Sequence, residues 1–303
     1  MLLFAEGGST EHTPLIVQFI NHYLGGPFYW LEVNYTKPAW DKYVFSHFGT
    51  NAEKVFGPYT LENAIPWYTI MFVIACLLSI FVIKILKDKL SEDDPSNAQM
   101  TAEAGFLALK DLAANVIGAH SFKYFPVVAT FAVLILVSNL MGQVPVFMAP
   151  TASVNVTFAL AITSFIYYNY VGISENGLVN HIAHFTGPRL PLIMTLIITP
   201  LIFTVEIISN LIRPFTLGVR LFANMFADEK IFAEITNLYP PITQVGVPLL
   251  LTALGIFVAF VQTLVFTLLS MIYISEVTHA PHDHDHGGIH SEVTGEAIAT
   301  AHV

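Results

Sequence analysis

The sequence predicts an all-α polytopic transmembrane protein with about five spanning helices, the last two long and tilted as a hairpin. Three observations predict it. The chain of 303 residues is 54% hydrophobic and only 11% charged, with a mean hydropathy of +0.64, far more apolar than a soluble domain that must keep a wetted surface. Its apolar residues fall into long runs punctuated by glycine, proline and clustered charge. The two C-terminal runs exceed the 20 or so residues that one perpendicular span requires.

Residues 1–63 mix aromatics (Phe28, Tyr29, Trp30, Tyr35, Trp40) with glycine, proline and charge, and no stretch is both long and apolar enough to span. An extracytoplasmic or interfacial segment is expected, because Trp and Tyr favour the headgroup level. The start, Met1-Leu2-Leu3-Phe4-Ala5, lacks the basic flank and long apolar core of a signal peptide and is expected to be retained. Pro66 to Leu86 is the first expected span, uncharged before Lys84. Lys84, Lys87, Lys89, Lys110 and Lys123 then bring five of the twelve basic residues into one connecting region. The positive-inside rule makes that region cytoplasmic and leaves the N-terminus outside.

Ser91 to Asn97 reads as a solvated turn, and Thr101 to Ile117 as a partly apolar helix along the membrane surface. Phe125 to Met141 and Val154 to Val171 are the second and third spans, closed by Gly142 with Pro145 and by Gly172. Asn139 and Asn155, near the ends of these spans, read as interhelical hydrogen-bonding residues. The fourth runs from Leu190 to about Leu238 and carries Glu206, Arg213, Arg220, Asp228, Glu229 and Lys230, too many ionisable groups for a helix bathed in lipid. Ile242 to Ile274 is the fifth, with Gln262 as its one strongly polar side chain before Glu276. The membrane domain is thus 64–276, followed by a His-rich cytoplasmic tail over 277–303 that reads as solvated and disordered. His279, His282, His284, His286 and His290 lie in that tail with no fixed ligand geometry, so no metal site is assigned.

The net charge of −10, concentrated at the two ends of the chain, argues against nucleic acid as a partner. Cys76 is the only cysteine, so no intrachain disulfide forms. The sequence contains no G-x-x-x-x-G-K-[ST], H-E-x-x-H, G-x-S-x-G or C-x-x-C, and no cofactor is expected.

Arg220 carries the most information. A guanidinium at bilayer depth costs on the order of 2.5–3.5 kcal/mol on insertion scales, so such residues face protein or water and mark ion pathways. At 100° per residue Thr216, Arg220 and Asn224 share one face, Glu206 returns to within about 40° of it, and Glu229 points about 180° away. Arg213, nearer one end, reads as a residue snorkelling to headgroups. On the last helix Gln262, Phe266, Leu269, Tyr273 and Glu276 form one stripe. If the two helices pack antiparallel, Asn224 and Gln262 can meet.

The ordered set Glu206-x-x-Ser209, Arg213-Pro214, Leu217-Gly218-Val219-Arg220-Leu221-Phe222-Ala223-Asn224-Met225, Ala227-Asp228-Glu229 and Gln262 resembles subunit a of the F-type ATP synthase. The likeness runs from about Ile65 to Glu276 and includes Pro150 and Val154-Asn155-Val156-Thr157. It implies a non-catalytic, proton-conducting stator subunit that forms half-channels beside a ring of subunit c, with the subunit b stalk, the remaining synthase subunits and the lipid bilayer as further partners. It also implies that Arg220 controls proton transfer at the ring, and that Glu229, Asn224, Gln262, Glu206 and Ser209 serve the proton pathway. A bacterial inner membrane is the expected location. Where some members place a histidine, seven residues before Gln262, this chain has Gly255, so water or another polar group must act there. The competing reading is an ion-coupled secondary transporter in which Arg220 binds an anionic substrate.

Overall fold

A computed structural model describes residues 14–47, 50–53, 60–88, 97–118, 121–144, 146–177, 192–238 and 246–278. All regular structure among them is helical. The helices are α1 Leu15–Leu31, α2 Lys37–Tyr43, α3 Trp67–Asp88, α4 Asn97–Ile117, α5 Ser121–Met141, α6 Val154–Asn176, α7 Leu192–Leu238 and α8 Gly246–Thr278. Five of these, α3, α5, α6, α7 and α8, are long and apolar enough to cross a bilayer. At about 1.5 Å per residue, the 47 residues of α7 and the 33 of α8 far exceed the roughly 30 Å hydrocarbon thickness. The predicted fold class holds. The turn at 91–96 and the tail from His279 onward lie outside the described residues.

Helices α4 and α5 each begin four residues earlier than expected, at Asn97 and Ser121, and two further boundaries differ for a physical reason. Helix α6 runs through Gly172 and stops at Gly177, whose φ of +76° suits a residue without a side chain at a helix C-terminus. Gly172 is buried against neighbouring helices, so packing holds the backbone helical where local propensity would have released it. The second difference is in α8, which continues past Ile274 to Thr278 and brings Glu276 inside the helix.

Four apolar clusters hold the bundle, a small one joining Ala149, Ala152 and Met225 beside Val258 and three larger ones. At the end where α5 begins and α6 and α8 finish, Ala113 and Ile117 of α4 pack with Tyr124, Val128, Tyr168, Val171, Met271 and Ile274. Helix α4 therefore rests on the bundle through one face. In the middle, Phe131, Ile135, Leu160, Leu217, Leu221 and Phe266 join α5, α6, α7 and α8. At the opposite end, Val17 of α1 packs with Ile70, Met71 and Ala75 of α3 and Met141 of α5.

Polar ties close these layers where lipid would offer no partner. Thr151 donates to Asn139 at 2.7 Å, Ser164 and Ser270 are 3.0 Å apart, and Asn176 donates to the Val277 carbonyl at 2.7 Å. Asn139, as expected, bridges segments instead of facing lipid. Buried Asn21 holds α1 twice over: its amide donates to the Ile65 carbonyl and its carbonyl accepts from the Ile65 N–H, both at 3.0 Å.

Asn21→Ala removes both bonds and leaves two main-chain groups unpaired, at about 1–3 kcal/mol for each buried group. Faster limited proteolysis within residues 14–47, with the rest of the membrane domain still protected, is the expected result.

Candidate functional site

Helix α7 carries the charged residues, and its sequence sets which way each one points. Leu217, Leu221 and Met225 recur at i, i+4 and i+8 and are buried, which fixes the inward face. Arg213, Arg220 and Asn224 lie within about 60° to one side of that stripe. This places them along the seam with α8.

Two of the three are tied across the seam. Asn224 donates to Gln262 Oε1 at 2.7 Å, the meeting of polar positions anticipated for an antiparallel pair. Arg213 binds Glu276 with both guanidinium nitrogens, Nη2 to Oε1 and Nη1 to Oε2, each at 2.6 Å. Its Cζ also sits 5.2 Å from the centre of the Tyr273 ring. The snorkelling role expected for Arg213 is overturned: Glu276, carried inside α8, offers a fork-to-fork partner that water and headgroups would otherwise supply.

Arg220 lies between the two ties, seven residues beyond Arg213 and four before Asn224. It is exposed and makes no hydrogen bond or ion pair among the described residues. The α8 stripe opposite it is apolar, with Phe266 fully buried and Leu269 packed beside it. Gln262 is 3% exposed, and its Nε2 has no partner among the described residues.

Pro214 shapes the helix six residues before Arg220. It has no N–H to give the Asn210 carbonyl four residues back. Tyr168 of α6 packs against this turn: its hydroxyl donates to the Asn210 side-chain oxygen and lies 3.4 Å from the Asn210 carbonyl. Glu206 and Ser209, two turns and one turn before Arg213, are half-buried. The structure does not join either of them to the Asn224–Gln262 tie.

At the other end of the seam lie two acidic residues. Glu229 accepts a hydrogen bond from the Ala149 N–H at 3.1 Å, so it turns toward the α5–α6 connection, away from the Arg220 face, as helical geometry requires. Asp228 accepts from Gln143 Nε2 at 3.0 Å. This pair occupies the space beside Gly255: a Cβ there would lie 2.5 Å from Gln143 Nε2 and Oε1 and 2.7 Å from Asp228 Oδ2. An acid and an amide from two other segments thus fill the space beside Gly255. Sequence reading missed Gln143 because it sits in a turn 85 positions from its partner. The absence of a side chain at Gly255 was the one available signal.

Residues 68–275 match the profile of the family described as the ATP synthase A chain. The chain belongs to that family. It is 36% identical to ATP synthase subunit a of Solibacter usitatus over 215 residues, covering 70% of this chain and 88% of that one. It is 40% identical to ATP synthase subunit a 1 of Syntrophotalea carbinolica over 206 residues, covering 68% and 83%. With subunit a of Bdellovibrio bacteriovorus the identity is 39% over 173 residues, covering 57% and 70%. The matched span takes in every residue of the seam from Gln143 to Tyr273; Glu276 lies just past it. As a family member the chain is a membrane subunit of an ATP synthase, and its five apolar helices are what that place requires.

Two outcomes follow for the ATP synthase A chain fold. Glu276→Ala should leave the Arg213 guanidinium, only 19% exposed, without its carboxylate, at about 1.5–3 kcal/mol for lost charged hydrogen bonds. Thermal unfolding of the purified complex should come at a lower temperature for Glu276→Ala than for Arg220→Ala. Gly255→Val, which drives a branched side chain into Gln143 and Asp228, should reduce ATP-driven proton pumping more than Gly246→Val, where a Cβ meets open space.

Proposed function

We propose that this chain is the proton-conducting stator of the synthase membrane sector, forming two half-channels beside a ring of subunit c and coupling proton flow to rotation. The observation that carries the reading is Arg220: exposed on the long hairpin, flanked by two interhelical ties, and without a hydrogen bond or ion pair among the described residues. A cation held in that way needs a carboxylate from another chain, because an unpaired guanidinium against lipid is costly. A ring carboxylate arriving at Arg220 has its pKa lowered and releases its proton. Arginine does this without carrying the proton itself, since its own pKa exceeds about 12.

The two polar ends supply the aqueous approaches. Asp228, Glu229 and Gln143 line one, on the side where α7 ends and α8 begins. Glu206, Ser209 and the Arg213–Glu276 pair line the other. Between them Gln262 keeps one buried donor free for a proton-carrying group, and Asn224 orients its amide. Arg220 separates the two approaches and blocks direct leakage from one to the other. With the N-terminus outside and the C-terminus in the cytoplasm of a bacterial inner membrane, protons enter by the Asp228–Glu229 end during synthesis. Each charge crossing about 100 mV gains about 2.3 kcal/mol, so several must pass for each ATP. The subunit b stalk holds the chain against the turning ring. The phosphoryl chemistry belongs to the catalytic head.

ATP-driven proton pumping in membrane vesicles tests this, with assembly verified by co-purification of ring and head. Arg220→Ala and Arg220→Lys are expected to abolish or strongly reduce pumping while both partners still co-purify. Normal coupled pumping by an assembled Arg220→Ala complex would return Arg220 to a structural role.

A further inference from the structure

Helix α1 has no place in the proton path, yet its surface is as apolar as a buried helix. From Leu15 to Glu32 the only acidic or basic side chains are His22 and Glu32. Leu15, Phe19, Tyr23 and Trp30, together with Gly26, recur at helical spacing and make one stripe. The four large side chains are exposed, at 80%, 63%, 68% and 58%. That stripe is opposite the face formed by Val17, Asn21 and Gly25, which is buried.

The buried face fixes the depth of the helix relative to α3. Val17 packs with Ile70 and Met71 on the flank of the first turns of α3, beside Met141 at the end of α5. Asn21 is bonded twice to Ile65, immediately before α3. Gly25 lies so close to the Leu61 carbonyl that a Cβ would approach to 2.9 Å. At the far end of α1 the Glu32 carboxylate lies within electrostatic reach of Tyr68, in the first turn of α3. Burial also pushes the Glu32 carboxyl above its ordinary range. Both ends of α1 thus stay at the level where the first span begins.

At that level three environments compete for the free face. Water would leave four large apolar side chains bare. Complete insertion is excluded by the ties and by charge: Val17, Asn21 and Gly25 all meet residues 61–71 around the start of α3, and the helical run continues beyond Leu31 into α2 with Glu32, Lys37, Asp41 and Lys42. The boundary between headgroups and acyl chains satisfies both constraints, and the exposed flank of α3, with Val73, Leu77 and Ile80, continues the apolar surface into the bilayer. Charge returns where the chain leaves this level. Helix α2 carries Lys37, Asp41 and Lys42, with Lys37 bound to Glu53 at 2.7 Å and Asp41 accepting from the Ala52 N–H at 2.6 Å.

We propose that α1 is a monotopic anchor lying in the plane of the leaflet at which α3 starts, with Leu15, Phe19, Tyr23 and Trp30 seated among phospholipid headgroups and upper acyl chains. Its aromatic rings hold the α3 end of the membrane domain at a fixed depth. The proposal is independent of the role of Arg220.

The single native cysteine makes the test clean. In the assembled complex reconstituted in phosphatidylcholine–phosphatidylglycerol vesicles, with Cys76→Ala and other reactive cysteines removed, Phe19→Cys, Tyr23→Cys and Trp30→Cys are each labelled with an environment-sensitive fluorophore. Quenching is compared for lipids bearing a nitroxide near the headgroup end of the acyl chain, lipids bearing it near the methyl end, and aqueous iodide. The shallow nitroxide should quench all three positions at least about two-fold more than either alternative. Dominant quenching by iodide would mean a water-exposed face, weak quenching by all three would mean a protein partner covers it, and dominant quenching by the deep nitroxide would mean insertion into the core. Each of these overturns the anchor. Three separately labelled positions keep the test decisive if one variant fails to assemble.

Discussion

Hydrocarbon offers no hydrogen-bond partner, so every polar group on the long hairpin must find one inside the protein or belong to an interaction that another molecule completes. Arg213 shows the first case. Its guanidinium is gripped by both oxygens of Glu276 and covered by Tyr273, so its charge is spent within the chain. Asn224 and Gln262 do the same with neutral groups. These two ties stand 11 residues apart on α7 and 14 apart on α8, and between them Leu217, Leu221 and Phe266 pack in one apolar cluster. Fixing the seam at both ends determines where everything between them points. Arg220 is what lies between.

The same rule accounts for the bend-prone part of α7. Pro214 deprives the Asn210 carbonyl of its main-chain donor, and Tyr168 of α6 closes on that turn through the Asn210 side chain. At the other end of the seam a missing side chain does the corresponding work. Gly255 leaves the space into which Gln143 brings its amide against Asp228, so two helices and a turn share one polar cluster beside Glu229.

The spans and their order were legible because apolar runs of membrane length are a strong and local signal. The i, i+4 face of Thr216, Arg220 and Asn224, and its meeting with Gln262, followed from helical periodicity alone. Three things could not be read. Gly172 looked like a helix end because propensity is local, and burial against other helices outweighed it. Arg213 looked like a snorkelling side chain because its partner, 63 positions away, lay beyond the assumed end of the last helix. The Gln143–Asp228 contact depends on how a turn folds back over α8, which no periodicity encodes.

Arg213 and Arg220 are seven residues apart on one helix face, and their different fates show how the structure separates a structural charge from an available one. Because α8 runs antiparallel, moving from Arg213 toward Asn224 on α7 means moving from Glu276 back toward Gln262. The carboxylate is therefore met first, at Arg213, and the positions that follow toward Arg220 are Tyr273, Leu269 and Phe266. A carboxylate one or two turns earlier on α8 would sit opposite Arg220 and neutralise it within the chain, leaving nothing for a second protein to recognise. Apolar packing at Phe266 and Leu269 keeps that place closed to any internal anion. Beside it Leu217, Leu221 and Met225 are buried and fix the inward face of α7.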